Sequence, residues 1–256
     1  MAVLLALIAI AFFVLPLVGL LQRAPWSDVW VDLTAQPARD AMRLSLVCSL
    51  WSTALAVVFG VPLAWLLARA DFPGRALTRA LVVLPMVLPP VVGGVALLYA
   101  FSLHGLVGGW LHDTLGVQFT FTTAGVVLAE TFVAMPFLVI TVEAGLRSMD
   151  RRYEDAAASL GAGRWTVFRR VTVPLIAPSL FAGAALAWAR ALGEFGATIT
   201  FAGNIQGRTQ TMPLAVYLLL ESRPAGAIAL SLVLLAVSIG VLVLLRDRWF
   251  GGLRGA

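Results

Sequence analysis

An arginine and a glutamate stand four residues apart inside a long apolar run, at Arg190 and Glu194. On one helix this spacing places both side chains on the same face, where they can form an ion pair. Ionisable groups inside an apolar run are costly and mark a functional position by default. Arg190 could attract an oxyanion while Glu194 keeps it from being trapped; alternatively, the pair fixes the packing of two helices.

A polar stretch follows the pair and supplies hydroxyl and amide groups with one cation. Its members are Thr198, Thr200, Asn204, Arg208, Thr209, Gln210 and Thr211. Neutral donors can accompany a tetrahedral oxyanion without holding it tightly, as a conducting path requires. The stretch predicts either residues of a gate or a surface loop held by its own hydrogen bonds. The candidates for the pathway or gate are Arg190, Glu194, Thr198, Asn204, Arg208 and Thr209.

Several kinds of chemistry are excluded by the residues that the chain has. All 18 basic residues are arginine, so the lysine of a Walker A loop and of a Schiff base is missing. His104, His112 and Cys48 form no metal-ligand spacing, and no G-x-S-x-G motif is present. We expect no catalytic residue, no metal and no cofactor on this chain; if the protein uses ATP, another chain must bind it together with its Mg²⁺.

The composition predicts where these residues lie. Hydrophobic residues make up 61% of the 256 residues and charged ones 12%, about half the ~25% typical of soluble domains. This predicts an all-α integral membrane protein in contact with lipid. The net charge of +5 comes from arginines between apolar runs, which favours charges that set topology over binding of nucleic acid.

Six apolar runs are long enough to cross a membrane. They cover about 2–21, 44–68, 80–101, 123–144, 175–200 and 225–245 and predict a single transmembrane domain over 1–256. The first run is interpreted as a retained span, since no basic residue precedes it as in a signal peptide.

The arginines also predict the orientation of the chain. Twelve of the 18 lie after the second span, after the fourth span or in the C-terminal tail. By the positive-inside rule, both termini and these two loops are cytoplasmic. The third span contains Pro85, Pro89 and Pro90, which break the helical hydrogen-bond ladder. The span is therefore either kinked for packing or lines a pathway.

The most informative loop is 146–174, between the fourth and fifth spans. A helix over 154–160 is predicted to end at a glycine, Gly161. A second helical stretch over 164–171 leads to Pro174, which fits the start of the next helix. An apolar stripe on the first helix could dock in a groove of a partner; the alternative is an ordinary basic loop.

This loop resembles the cytoplasmic loop of ABC-importer permeases, which carries the pattern E-A-A, three residues, G, nine residues, I-x-L-P. Here Asp155, Ala156 and Ala157 are followed by Gly161 and Pro174 at the same spacing. The departures are Asp155 for Glu, and valines for the Ile and Leu. Glu154 stands next to Asp155 and could take over the acidic role.

The resemblance implies a type I ABC importer permease fold with six transmembrane helices and a cytoplasmic coupling helix. The residues that would couple to the ATPase are Glu154, Asp155, Ala156, Ala157, Gly161, Arg164 and Pro174. The family further implies a homodimer, two ATPase subunits, a periplasmic binding protein and a bacterial inner membrane.

Two further segments resemble a narrower group. The third span is similar to permeases for sulfate and molybdate, and Ala189–Tyr217 looks like the permeases for molybdate, above all in 203–204 and 207–211. The implied substrate is molybdate, with tungstate left open and a sulfate or other oxyanion permease as the alternative. Rivals from other classes are an ion-gradient-driven secondary transporter, for which no internal repeat is found, and an intramembrane enzyme.

Overall fold

The computed structural model describes the backbone of residues 1–250 and the side chains of residues 1–245. These described residues form thirteen α-helices and one π-helical turn, and no strand. The arginines at 246, 248 and 254, which the topology prediction counted in the tail, lie outside the described side chains.

The first half of the chain contains the longest helix and a broken span. Its helices are α1 (Ala2–Gln22), α2 (Val29–Thr34), α3 (Gln36–Arg69), α4 (Arg75–Val87), α5 (Pro90–Phe101) and α6 (Gly108–Leu115). The second half contains α7 (Thr123–Ser148), α8 (Arg152–Ser159), α9 (Arg164–Val167), a π turn (Phe168–Thr172), α10 (Val173–Leu192), α11 (Gly196–Phe201), α12 (Met212–Ser222) and α13 (Pro224–Phe250).

Helix α7 is the centre of the bundle and packs along both α3 and α10. The approach is close because glycines face it: a Cβ on Gly60 of α3 would stand 3.0 Å from the Leu138 side chain, and one on Gly183 of α10 would stand 3.3 Å from the Leu138 backbone. Small residues at such contacts let membrane helices approach closely and gain dispersion energy. This matters because the hydrophobic effect does not drive helices together inside a lipid bilayer. The small residues of α3 and α10 therefore place α7 at the centre of the packing.

The predicted third span over 80–101 is wrong as a single helix. The structure has α4 and α5 instead, bent by 119° at the break between them. Leu88 is extended, as a residue before a proline prefers to be, and Pro90 then starts α5 with the fixed φ of a first helical residue. Consecutive prolines thus turn the chain, and the prediction underestimated this turn as a kink.

The predicted fifth span over 175–200 is also interrupted. Helix α10 ends at Leu192, and α11 begins at Gly196 after a short break. Helix α11 then lies against α5, where a Cβ on Gly94 would come within 2.8 Å of the Ala197 carbonyl oxygen and one on Gly196 within 2.6 Å of Pro90. The break turns the chain so that the two short helices meet backbone to backbone.

Helices that the sequence did not predict occupy the connections. Helix α6 lies within the predicted loop 102–122, and α12 lies between the fifth and sixth predicted spans. Helix α1 is exposed along residues 2–18. Five helices are long and apolar enough to cross a membrane, or six if α4 and α5 count as one span, within the residues described.

The two ends of the bundle differ in charge. At one end α3 and α7 finish and α4 and α10 begin, with Arg69, Arg75, Arg79 and Arg147 beside them; we call this the arginine-rich end. At the opposite end the Thr123 hydroxyl donates a 2.9 Å hydrogen bond to the Arg208 carbonyl oxygen. The loop over 149–172 and the loop over 202–211 therefore lie on opposite sides of the molecule.

Candidate functional sites at the two ends of the bundle

The loop at the arginine-rich end forms a short helix, a glycine turn and a second short helix. Helix α8 covers the predicted first helix but begins at Arg152. Gly161 ends it with φ of +85°, a left-handed conformation that suits glycine. The second predicted helix, over 164–171, is α9 followed by the π turn. A Cβ added at Gly161 would have no atom within 4 Å, so a glycine suits this position because of its backbone conformation and not because of limited space.

The outer surface of this segment is apolar and exposed. Leu160 is 89% exposed, Trp165 71% and Tyr153 59%, and the Trp165 ring stacks on Phe168 at 5.7 Å between centroids. Large exposed apolar groups surrounded by polar residues mark a binding surface. This surface is larger than the predicted stripe, because Trp165 extends it beyond the glycine turn.

The predicted coupling residues separate into two groups. Asp155, Ala156, Arg164 and Pro174 are exposed, whereas Glu154 and Ala157 are half-buried. The Glu154 Oε2 atom lies 3.2 Å from Nη2 of Arg69, and Oε1 accepts a 2.6 Å hydrogen bond from the Thr172 hydroxyl. Glu154 thus contacts its own chain, and its expected contact with an ATPase stays a prediction.

Glu143, near the end of α7, gathers two further arginines. Its Oε1 atom accepts a hydrogen bond from Arg79 of α4 and lies 2.9 Å from Nη2 of Arg147. Arg147 also reaches the Leu67 carbonyl oxygen at 3.4 Å. The bonds tie three helix ends together, which supports a structural role for this carboxylate.

The pair predicted at Arg190 and Glu194 is formed. Glu194 Oε2 lies 2.5 Å from Nη1 of Arg190, and Oε1 accepts a 2.7 Å hydrogen bond from the Ala197 amide. The Glu194 side chain is 1% exposed and that of Arg190 28%. The two residues are not on one continuous helix as predicted, because α10 ends at Leu192; the carboxylate instead bridges the break and accepts from the first turn of α11.

Glu130 of α7 lies near this pair and was not assigned to it from the sequence. It is 1% exposed, and its carboxylate interacts electrostatically with Glu194. Its Oε2 atom and the Thr198 hydroxyl have no hydrogen-bond partner among the described residues. The Glu130 carboxylate lies inside the bundle; its isolation in an apolar run was the available signal.

The later pathway candidates form a separate loop at the opposite end. Gly203 and Gly207 have φ of +75° and +72°, and the Thr209 hydroxyl accepts a 2.9 Å hydrogen bond from the Ile205 amide. Asn204 donates weakly to the Leu214 carbonyl oxygen at 3.4 Å. Thus Arg190 and Glu194 come together, and Thr198 follows the Ala197 amide that Glu194 binds, whereas Asn204, Arg208 and Thr209 belong to this separate loop.

Comparison with known proteins shows the family of the chain. The family described as "Binding-protein-dependent transport system inner membrane component" matches residues 60–251. The chain belongs to this family. It is therefore an inner-membrane, multi-pass transport component, and the loop at the arginine-rich end, the Arg190–Glu194 pair and the broken helices all lie within the matched region.

Two kinds of relative in the family are similar over most of the chain. The molybdenum transport system permease protein ModB of Mycobacterium tuberculosis is 48% identical over 235 residues, covering 91% of this chain and 88% of the relative. ModB of Escherichia coli K12 is 41% identical over 85% of this chain and 95% of its own length. The sulfate transport system permease protein CysT of Escherichia coli K12 is 38% identical over 87% and 80%.

Solved structures support the fold. A bacterial ABC transporter involved in the import of the acidic polysaccharide alginate has a chain that matches with a TM-score of 0.72 at 21% identity, over 94% of this chain and 92% of that one. The bacterial alginate ABC transporter in complex with an alginate pentasaccharide-bound periplasmic protein matches with 0.73 at 19%, over 96% and 93%. The architecture is that of an ABC importer permease.

Proposed function

We propose that this chain is the membrane-spanning permease subunit of an ATP-driven importer of molybdate. The observation that carries the proposal is the identity of 41–48% to ModB proteins over at least 82% of the chain, against 38% for CysT. The chain contributes no covalent chemistry. It provides the path and converts movement of a separate ATPase into movement of helices.

The surface around α8 is the dock for that ATPase. Its exposed Leu160 and Trp165 can enter an apolar groove, while Asp155 and Arg164 at its rim select the orientation. The two alanines beside Asp155 permit close approach, and Gly161 makes the turn. The arginine-rich end then faces the cytoplasm, and both termini lie on that side as the positive-inside rule predicts.

A second copy of the chain completes the pathway. An apolar cavity of about 370 Å³ lies beside α12 and another of about 230 Å³ lies beside α4, and neither is lined by Arg190 or Glu194. Helix α4 has no buried residue, and Val87, Val91 and Tyr99 of α4 and α5 are exposed. These short helices are suited to face a twofold axis, with an ATPase beneath each copy.

A periplasmic molybdate-binding protein would meet the opposite end. The loop there is held by the Ile205–Thr209 hydrogen bond and by a bond to Thr123 of α7. It exposes the Arg208 side chain, a cation suited to steer an acidic partner. Deeper in the bundle, Arg190 is bonded to Glu194, so that its charge is compensated. An oxyanion would be attracted to the guanidinium but not trapped by it.

The test is uptake into vesicles that contain the chain, an ATPase subunit and a molybdate-binding protein. We expect molybdate uptake only when hydrolysable ATP and the binding protein are both present. A large excess of sulfate should not lower this uptake. Competition by tungstate measures whether tungstate is also a substrate. Sulfate uptake without molybdate uptake would favour the CysT-like alternative, which the 38% identity keeps as the second candidate. Uptake without ATP, driven by an ion gradient, would overturn the proposal.

A further inference from the structure

The Glu154 carboxylate joins three segments of the chain that are far apart in sequence. Arg69 is the last residue of α3, and Thr172 is the residue immediately before α10. Glu154 lies in the first turn of α8 and reaches both, at 3.2 Å and 2.6 Å. One side chain therefore ties the loop helix to the ends of two membrane helices; we call this contact the Glu154 clamp.

The clamp is shielded from water, unlike a second ion pair at the same end. The side chains of Arg69 and Glu154 are 10% and 20% exposed, and Thr172 is 1% exposed. In the pair of Arg75 with Asp71, the aspartate is 97% exposed. Shielded charges are screened less by water and salt, so the attraction within the clamp is stronger than that in the exposed pair.

Little else on α8 fastens it to the bundle. Within this fully described helix no residue is buried, and Asp155 and Ala156 are exposed. Helix α8 packs instead on the neighbouring α9 and the π turn. A π turn is a widened helical turn often found at functional positions, and this one ends at Thr172, where the clamp holds it.

Helix α10 continues the connection to the opposite half of the bundle. Arg190 in its last turn bonds Glu194 at 2.5 Å, and Glu194 in turn accepts from the Ala197 amide of α11. Helix α11 touches α5 at Gly94. Movement of α8 can thus pass through bonded contacts to the broken span, a contiguous route of the kind that allosteric coupling uses.

We propose that Glu154 is a positioning residue that makes α8 move as one body with the ends of α3 and α10. The inference rests on the proposed function, in which an ATPase moves α8. Without the clamp, α8 follows the ATPase while the membrane helices lag behind. ATP is then hydrolysed with less molybdate transported, although the ATPase still binds.

The test compares Glu154→Gln, Arg69→Gln and the double variant in the assembled transporter. Each single variant should lower the molybdate transported per ATP hydrolysed about fivefold, with an unchanged amount of co-purified ATPase. The double variant should be no worse than either single one, because both remove the same interaction. Exchanging the charges, with Glu154→Arg and Arg69→Glu together, should restore part of the ratio.

The matched control is Asp71→Asn, which removes the carboxylate of the exposed pair and should leave the ratio unchanged. A normal ratio in Glu154→Gln would overturn the proposal. So would a parallel loss of bound ATPase, hydrolysis and transport, because Glu154 would then belong to the docking surface. Failure of the proposed function itself would be seen separately, in a wild-type complex that takes up no molybdate with ATP.

Discussion

The two ends of α10 use the same type of contact in different surroundings. At the arginine-rich end Glu154 forms an ion pair with Arg69 and accepts a hydrogen bond from the Thr172 hydroxyl. At the other end Glu194 forms an ion pair with Arg190 and accepts a hydrogen bond from the Ala197 amide. The Glu154 side chain is 20% exposed and that of Glu194 1%.

Because the two contacts differ in burial, we expect the Glu194 contact to contribute mainly to the stability of the fold and the Glu154 contact mainly to coupling with the ATPase. An ion pair inside the bundle leaves an uncompensated charge in a low dielectric when one partner is lost, which costs several kcal/mol. The Glu154 pair is mostly shielded but less deeply buried than Glu194, so water can partly compensate its loss, which costs less. We infer that the Glu194 contact holds the fold at the helix break, whereas the Glu154 contact mainly transmits movement.

The largest expected effect comes from breaking the buried contact. Glu194→Gln leaves Arg190 without its counter-charge and should destabilise the protein by about 3 kcal/mol. This corresponds to a thermal midpoint lower by roughly 6–12 °C in detergent. Glu154→Gln serves as the matched variant and should lower the midpoint by far less. Equal midpoints for the two variants would remove the distinction between the two ends.

A second effect is expected where the buried end meets the broken span. Gly94→Ala would place a Cβ 2.7 Å from the Thr200 Cβ and 2.8 Å from the Ala197 carbonyl oxygen. Separating α5 from α11 should cost about 1–3 kcal/mol, measured as the thermal midpoint. Gly240→Ala is the control, since no atom lies within 4 Å of its added Cβ. A midpoint unchanged by Gly94→Ala would show that the two helices are not held at this contact.

At the arginine-rich end, Gly161→Val tests the turn that shapes the α8 surface. A residue with a side chain adopts the left-handed backbone at φ of +85° at a cost of about 1–2 kcal/mol. Because no atom lies within 4 Å of the added Cβ, this cost comes from the backbone conformation and not from a steric clash. We expect ATP hydrolysis uncoupled from molybdate uptake, or loss of bound ATPase, with a thermal midpoint lower by about 2–8 °C.

Gly161→Asn is the control for that variant, because asparagine tolerates the left-handed conformation. It should couple and assemble like the wild type. If Gly161→Val itself assembled with the ATPase and transported normally, the assignment of this turn to coupling would be wrong.

The sequence predicted much of this arrangement because hydropathy and short-range spacing are local. The apolar runs, the helix before Gly161 and the pairing of Arg190 with Glu194 could be predicted in this way. The bend of 119° between α4 and α5 could not, since prolines predict a break but not its angle.

The partners of Glu154 and Glu194 could also be predicted only in part. Arg69 is distant from Glu154 in sequence, and only packing of α3 beside α10 brings them together. The Ala197 amide became a partner of Glu194 because α10 stops at Leu192. The burial of Glu130 could not be predicted, because a lone carboxylate in an apolar run does not show which face of its helix is buried.

The smallest expected effect concerns the loop beyond the buried end. Arg208→Gln removes an exposed cation and should change stability by less than about 0.5 kcal/mol. It should raise the binding-protein concentration needed for half-maximal uptake about threefold, with a weaker dependence on salt. Gln206→Ala, an exposed neutral position on the same loop, should do neither. An equal effect of both variants would assign the change to the loop's shape.

The most direct measurement determines thermal midpoint and molybdate transported per ATP hydrolysed, side by side, for Glu154→Gln and Glu194→Gln in the assembled transporter. We predict that Glu154→Gln keeps the wild-type thermal midpoint but transports less molybdate per ATP hydrolysed. Glu194→Gln should instead show a clearly lower thermal midpoint. A Glu154→Gln transporter with normal coupling, or a Glu194→Gln transporter as stable as the wild type, would contradict this prediction.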